Sequence, residues 1–167
     1  MTNKIWAYID QFKGEALPSS WETIGAGLAL AKSLGGSVTA VIFGENVGNV
    51  AQQAFQFGAD EVIVADDATL KDYRAEAYTA LLAKLAADSA PEVILFPTTS
   101  RGREVSGMAA VDLNTGVLVD VTALEVVDGV VVATRPIYAG KLLAKVHCNA
   151  KPQLITLRGR AFAKPVE

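Results

Sequence analysis

The chain contains a single cysteine, Cys148, and a single histidine, His147. One cysteine excludes an intramolecular disulfide framework and a cysteine-based zinc site. One histidine excludes every multi-histidine metal arrangement. Cations are not in excess: 15 Lys and Arg face 18 Asp and Glu, a net charge of −3 over 167 residues. This balance argues against a dedicated nucleic-acid binder, which carries a basic excess or stripe. Long apolar runs are missing as well. The amino terminus has only Ile5 to Ile9 before Asp10, too short for a secretory signal. Lys32 and Asp120 interrupt the best candidates for the ~20 residues of a membrane helix. The expectation is a soluble, cytoplasmic protein without membrane insertion. What is abundant is apolar character, 51% of residues. A surplus of that kind is consumed by a sheet buried on both faces, or by a surface that meets a partner.

The first two-thirds alternates two periods. Lys4–Ile9, Ser37–Phe43, Glu61–Ala65 and Pro91–Phe96 are near-continuous apolar runs and predict strands. Between them, Trp21, Ile24, Leu28, Ala31 and Leu34 have helical spacing, with Ser19 and Glu22 placed as a capping box and Gly35-Gly36 as the stop. Val47 to Phe55, Tyr73 to Ala87 and Arg103 to Leu113 predict three further helices. The order βαβαβαβα describes a parallel sheet covered on both faces. From Gly116 the pattern changes. Asp128-Gly129 lies between Val121–Val127 and Val130–Thr134, a strong hairpin signal. Lys141–Cys148 and Gln153–Arg158 follow and are expected to complete an antiparallel set.

Candidate chemistry is sparse. His147 and Cys148 are neighbours on an expected strand, so they point to opposite faces and cannot pair; a packed Cys and a surface His are expected. Asp66 and Asp67 are expected to cap turns or helices rather than act as paired acids. No nucleophile with an assembled base is found, which disfavours a hydrolytic enzyme. Asp10 ends a central strand, at the edge where open α/β sheets place ligands. The loop Thr98-Thr-Ser-Arg-Gly-Arg103 follows the fourth strand and opens a helix. Its hydroxyls, its glycine and the helix start could receive a phosphate or carboxylate, with Arg101 and Arg103 adding charge. Asp10, Thr98, Thr99, Ser100, Arg101, Gly102 and Arg103 are therefore the candidate anion or nucleotide crevice. The glycine fingerprints of nucleotide-binding loops are absent. Arg158 and Arg160 are expected to be solvated or tied to a neighbouring carboxylate.

Five segments occur in a telling order: Phe57–Val64, Gly102–Glu104 with Ala109-Ala110, Thr115-Gly116 with Asp120, Arg135-Pro-Ile-Tyr-Ala-Gly140, and Thr156–Arg158 with Ala161-Phe162. With them the chain resembles the amino-terminal domain of the alpha subunit of electron-transfer flavoproteins, essentially from end to end. It departs from the family's pattern at Gly107-Met108, where many members have Pro-Arg.

The resemblance implies a three-layer parallel sheet of the HUP (adenine nucleotide alpha hydrolase-like) type with added C-terminal antiparallel strands. It implies a domain over residues 1–160 and the start of an interdomain linker over 161–167. The FAD-binding carboxyl domain, with patterns such as S-R-x-x-V-D and Q-V-G-Q-T-G, is absent from these residues. The implied role is a scaffold and subunit interface, not an enzyme, within an alpha/beta heterodimer holding FAD. That complex carries electrons from acyl-CoA or other flavin dehydrogenases to a quinone reductase. The alternative is a free-standing nucleotide-binding module of the universal-stress type, although Gly102 and Gly107 do not fit that group's glycine spacing.

Overall fold

The computed structural model describes residues 3–166. Its elements run β1 (Asn3–Ile9), β2 (Gln11–Phe12), β3 (Glu15–Ala16), α1 (Pro18–Leu34), β4 (Gly36–Gly44), α2 (Gly48–Gln56), β5 (Glu61–Asp66), a 3₁₀ turn (Ala68–Leu70), α3 (Ala75–Ser89), β6 (Val93–Pro97) and α4 (Ser100–Asp112). They continue with β7 (Val117–Val121), β8 (Ala123–Val127), β9 (Val130–Ile137), β10 (Leu142–Val146) and β11 (Gln153–Leu157). Six strands form one sheet in the order β5-β4-β1-β6-β11-β7, and every pairing in it is parallel.

Strand alternation divides the core in two. Ile5, Ala7 and Ile9 of β1 face one side, with Val38, Ala40 and Ile42 of β4, Val93 and Leu95 of β6, and Ile155 and Leu157 of β11. There they meet Trp21, Ile24 and Leu30 of α1 and Val50 and Ala54 of α2. Trp6, Tyr8, Val41, Phe43, Ile94, Phe96 and Leu154 face the other side, against Tyr78 and Leu82 of α3 and Val105 and Ala109 of α4. Parallel strands buried on both faces need apolar residues at every position, which is why these segments read as continuous runs. Each fully buried large side chain contributes about 1.5–3 kcal/mol relative to exposure.

The second sheet is antiparallel, β10-β9-β8, and lays Val131 and Ala133 onto the α1 side of the core. Its first turn follows the sequence expectation. Asp128 and Gly129 have φ of 51° and 79°, which matches the right-handed twist of a two-residue hairpin.

Three expectations are corrected. Gln153–Leu157 does not join the antiparallel set; β11 lies between β6 and β7, parallel to both. Its five residues are all buried, so a run apolar on both faces marked a central parallel strand. The capping box does not form, because Pro18 occupies the start of α1 behind Leu17. Glu22 instead accepts the Arg160 backbone N–H at 2.7 Å. His147 and Cys148 lie beyond the end of β10. Gly35 does close α1 in the left-handed conformation, φ 65°, donating to the Ala31 carbonyl.

Residues after β11 return over α1. A Cβ on Gly25 would stand 2.1 Å from the Ala163 carbonyl oxygen, so only glycine admits the chain there. Phe162 packs against the core on that side, and the Lys164 ammonium lies 4.3 Å from the centre of the Phe57 ring. The expected spans 1–160 and 161–167 include Met1, Thr2 and Glu167, which lie outside the described residues.

Ile155 is fully buried in β11, the strand that joins β7 to the rest of the sheet. Ile155→Ala is expected to cost about 2–5 kcal/mol in urea unfolding. Val111→Ala, on the exposed surface of α4, should change stability by less than about 0.5 kcal/mol.

Candidate functional site

From β1 the chain adds β4 and β5 on one side of the sheet, then β6, β11 and β7 on the other. The switch point lies between β1 and β6, where open α/β sheets form a crevice beyond the strand ends. Asp10 follows β1 and is buried. Its backbone is held by Ser20: Asp10 N–H donates to Ser20 Oγ at 2.9 Å, and that hydroxyl donates to the Asp10 carbonyl at 3.0 Å.

Across the crevice, Thr99 is the N-cap of α4, accepting the Gly102 N–H at 2.9 Å. The same hydroxyl donates to Asp10 Oδ2 at 2.7 Å. Arg101 Nε stands 3.1 Å from Asp10 Oδ1. Gly102 is needed for close approach, since a Cβ there would lie 2.2 Å from the Pro97 carbonyl oxygen. Four of the seven predicted crevice residues, Asp10, Thr99, Arg101 and Gly102, are thus brought together. Thr98 sits beside them with its hydroxyl oxygen buried and without a hydrogen-bond partner among the described residues. Ser100 and Arg103 are exposed.

Burial raises the Asp10 pKa, and the Thr99 hydrogen bond and the Arg101 charge work against that rise. Arg101 has further neighbours that the sequence did not single out. Its guanidinium lies 5.7 Å from the Phe12 ring centre and 5.8 Å from that of Tyr73. Phe12 belongs to the β2–β3 hairpin, turned at Lys13 (φ 53°) and Gly14 (φ 79°). An isolated aromatic residue beside Lys-Gly was the available signal. A cleft of about 280 Å³ opens beside the arginine, with Phe12, Lys71, Tyr73 and Tyr78 in its lining. The Tyr73 hydroxyl donates to Glu104 at 2.7 Å, and burial followed by that bond raises its pKa. An anion entering the crevice would meet the Arg101 donors that do not face Asp10, but also the Asp10 carboxylate beside them, which opposes a second negative charge.

The other acids behave as expected of caps. Asp66 accepts the N–H groups of Asn46 and Val47 at 2.7 and 3.0 Å, and Asp67 accepts that of Thr69 at 2.8 Å. His147 is exposed and bonds Asn149 at 3.0 Å, while Cys148 is half-buried with its sulfur 3.6 Å from the Thr115 hydroxyl. Among the described residues, no cluster of three or more His, Cys, Asp and Glu could hold a metal ion. Also among them, no helix is long and apolar enough to cross a membrane.

A second feature lies at the β7 and β11 ends of the same sheet edge. Pairing between β11 and β7 slips after Ile155, leaving Asp120 in a bulge with φ 59°. Its N–H donates to Thr156 Oγ1, and its carboxylate receives Arg158 through two hydrogen bonds, 3.0 and 2.5 Å. That bidentate bond, more than any other influence, holds the Asp120 carboxyl below its usual range. The Arg135–Gly140 segment forms the opposite wall of an open groove of about 570 Å³.

The profile described as Electron transfer flavoprotein domain matches residues 5–167. The chain belongs to the electron transfer flavoprotein family. Protein FixB of Azorhizobium caulinodans is 39% identical over 166 residues, 96% of this chain and 45% of the relative. The electron transfer flavoprotein subunit alpha of Thermoanaerobacterium thermosaccharolyticum is 36% identical, over 92% of this chain and 47% of the relative. That of Clostridium acetobutylicum is 32% identical, over 96% and 48%. The chain spans about half the length of these relatives.

Arg101→Gln removes the ion pair that meets the buried Asp10 carboxylate. Because the folded Asp10 pKa is raised, its stability contribution falls as pH rises from the ordinary aspartate range through the folded value. Without Arg101 that fall deepens. The variant should lose about 2–3 kcal/mol near neutral pH, a figure reduced from the wholly buried case because Arg101 is partly exposed. The loss should shrink toward pH 4 as Asp10 takes up a proton. Urea unfolding at both pH values checks this, and an equal loss at both would contradict it.

Proposed function

We propose that this chain is the amino-terminal half of an alpha-type electron transfer flavoprotein subunit. In this reading it is a scaffold and subunit-interface domain, an electron-carrier component and not a catalyst in its own right. The observation that carries the reading is the pattern of similarity: nearly the whole chain aligns, and it aligns to under half of each subunit alpha or FixB relative. A free-standing nucleotide-binding module is not favoured by that pattern.

FAD supplies the redox couple when bound, because no protein side chain here offers one. The described residues fit the cofactor poorly. At the switch point, where a nucleotide would be expected, Asp10, Thr99 and Arg101 are bonded to one another. The adjacent cleft is about 280 Å³, at the small end for a ligand site and short for a dinucleotide. This supports a division in which FAD is held by the part of the relatives that this chain does not cover. What residues 3–166 contribute is a rigid body with shaped faces. The Asp10–Arg101 clasp fixes the hairpin, β1 and the start of α4 relative to one another.

The partner in this reading is a beta subunit, and through the full complex flavin dehydrogenases and a quinone reductase, in the cytoplasm. Exposed Leu142 and Leu143 at the start of β10 form an apolar projection suited to such contact. The expected outcome is that the 167-residue chain, mixed with excess FAD and gel-filtered, shows no stoichiometric flavin absorbance. It should co-elute with a beta subunit of the same family. Tight, stoichiometric flavin uptake by the chain alone would overturn the scaffold reading.

A further inference from the structure

The groove between the Pro136–Gly140 turn and the ends of β7 and β11 holds an unbalanced charge. Three arginines act on Asp120: Arg158 directly, and Arg103 and Arg135 through space. Asp120 neutralises one of them. Neither Arg103 nor Arg135 has a side-chain hydrogen bond or ion pair among the described residues. For Arg103, exposed on α4, water answers that need. Arg135 is half-buried in the groove wall; its Nε is enclosed without a hydrogen-bond partner, and its outer guanidinium nitrogens are the ones a ligand in the groove meets. Buried charged donors are costly when unpaired and are normally matched.

Backbone conformation around the groove is unusual as well. Asp120 (φ 59°), Tyr138 (φ 50°) and Ala139 (φ 54°) are all left-handed without being glycine. Such strain persists where the surroundings enforce it, often at ligand sites. The ring of Tyr138 stands on the groove wall and is 74% exposed.

We propose that this groove binds a phosphate group, taken by Arg135 and Arg158 with Arg103 adding charge. The class follows from the arithmetic. The lining, Arg135 and Arg158 against Asp120, carries one surplus charge, and Arg103 on α4 adds a second through space. Together they match a phosphate monoester, which carries about −1.5 to −2 near neutral pH, better than a carboxylate. Planar guanidinium groups also suit phosphate oxygens. The groove is open and polar-walled, so the phosphate enters without displacing the Asp120–Arg158 pair, using the donors that pair leaves free. An organic phosphate gains a flat surface on Tyr138; inorganic phosphate does not. The inference is independent of where FAD sits, and of the family reading.

The test is a titration of the 167-residue chain, labelled with ¹⁵N-arginine, with inorganic phosphate and separately with phenyl phosphate. Sodium chloride at matched ionic strength is the control. The expected result is a saturable shift of the Arg135 Nε–H resonance with either phosphate and none with chloride. Tighter binding of phenyl phosphate identifies an organic phosphate as the ligand; equal affinity identifies the free ion. Arg135→Gln should weaken binding by about tenfold or more, the loss expected for a charged hydrogen bond. Arg103→Gln, on an exposed helix face, should weaken it several-fold with the fold intact. No saturable shift, the same shift with chloride, or unchanged affinity in both variants would overturn the proposal.

Discussion

A sheet enclosed on both faces has no room for charged side chains along its length; the polar ones buried within its strands, Thr39, Gln153 and Thr156, are neutral. The four central strands, β4, β1, β6 and β11, carry long buried stretches, and the flanking helices close both sides. Polar chemistry is therefore displaced to the strand ends. Asp10 leaves β1, Thr98 and Thr99 leave β6, and Arg158 leaves β11, all at the carboxyl edge. The central position of β1 adds a further consequence. Its terminal carboxylate is covered by neighbours on every side, and a buried carboxylate needs a cation and a hydroxyl to stay charged. Arg101 and Thr99 meet that need, and the order of the surrounding loops follows from it.

Two aspartate–arginine pairs occupy this edge, and they illustrate how setting decides consequence. Asp10–Arg101 is enclosed, so breaking it from one side strands a buried charge. Asp120–Arg158 has better geometry, with two hydrogen bonds, yet both members are open to solvent and their pairing adds little to stability. The first holds architecture. The second orients donors at an open surface while contributing little to stability, which is what a binding groove requires.

Much of the fold could be read from residue order. Uninterrupted apolar runs marked the parallel strands, Gly35 marked the end of α1, and Asp128-Gly129 marked the hairpin, because each reflects a local conformational demand. β11 was misplaced because direction and sheet membership are tertiary facts; Gln153–Leu157 carries a strong apolar run but no signal of which strands it joins. The capping box failed because Pro18 pre-empts the first helical position. β7 escaped notice because Asp120 interrupts its valines, and the bulge that accommodates it is invisible in one dimension. At the site, the loop Thr98–Arg103 was legible through its charge and its helix start. Asp10 and Arg101 were both placed in the crevice, but their bond to each other was not legible, since they lie some ninety positions apart and only the fold sets their distance. The isolation of Arg135 depends on what surrounds it and had no sequence signature.

The place of β11 bears on the order in which the molecule can be assembled during synthesis. β6 and β7 have no pairing with each other; both are joined only by the strand made after them. While residues 117–146 emerge from the ribosome, β1, β4, β5 and β6 can already associate, but β6 remains a bare edge. The β8–β10 hairpins must form beside a sheet that has not yet closed. Exposed strand edges of this kind invite pairing with other chains. Arrival of Gln153–Leu157 therefore completes the sheet and removes its most vulnerable edge in the same step.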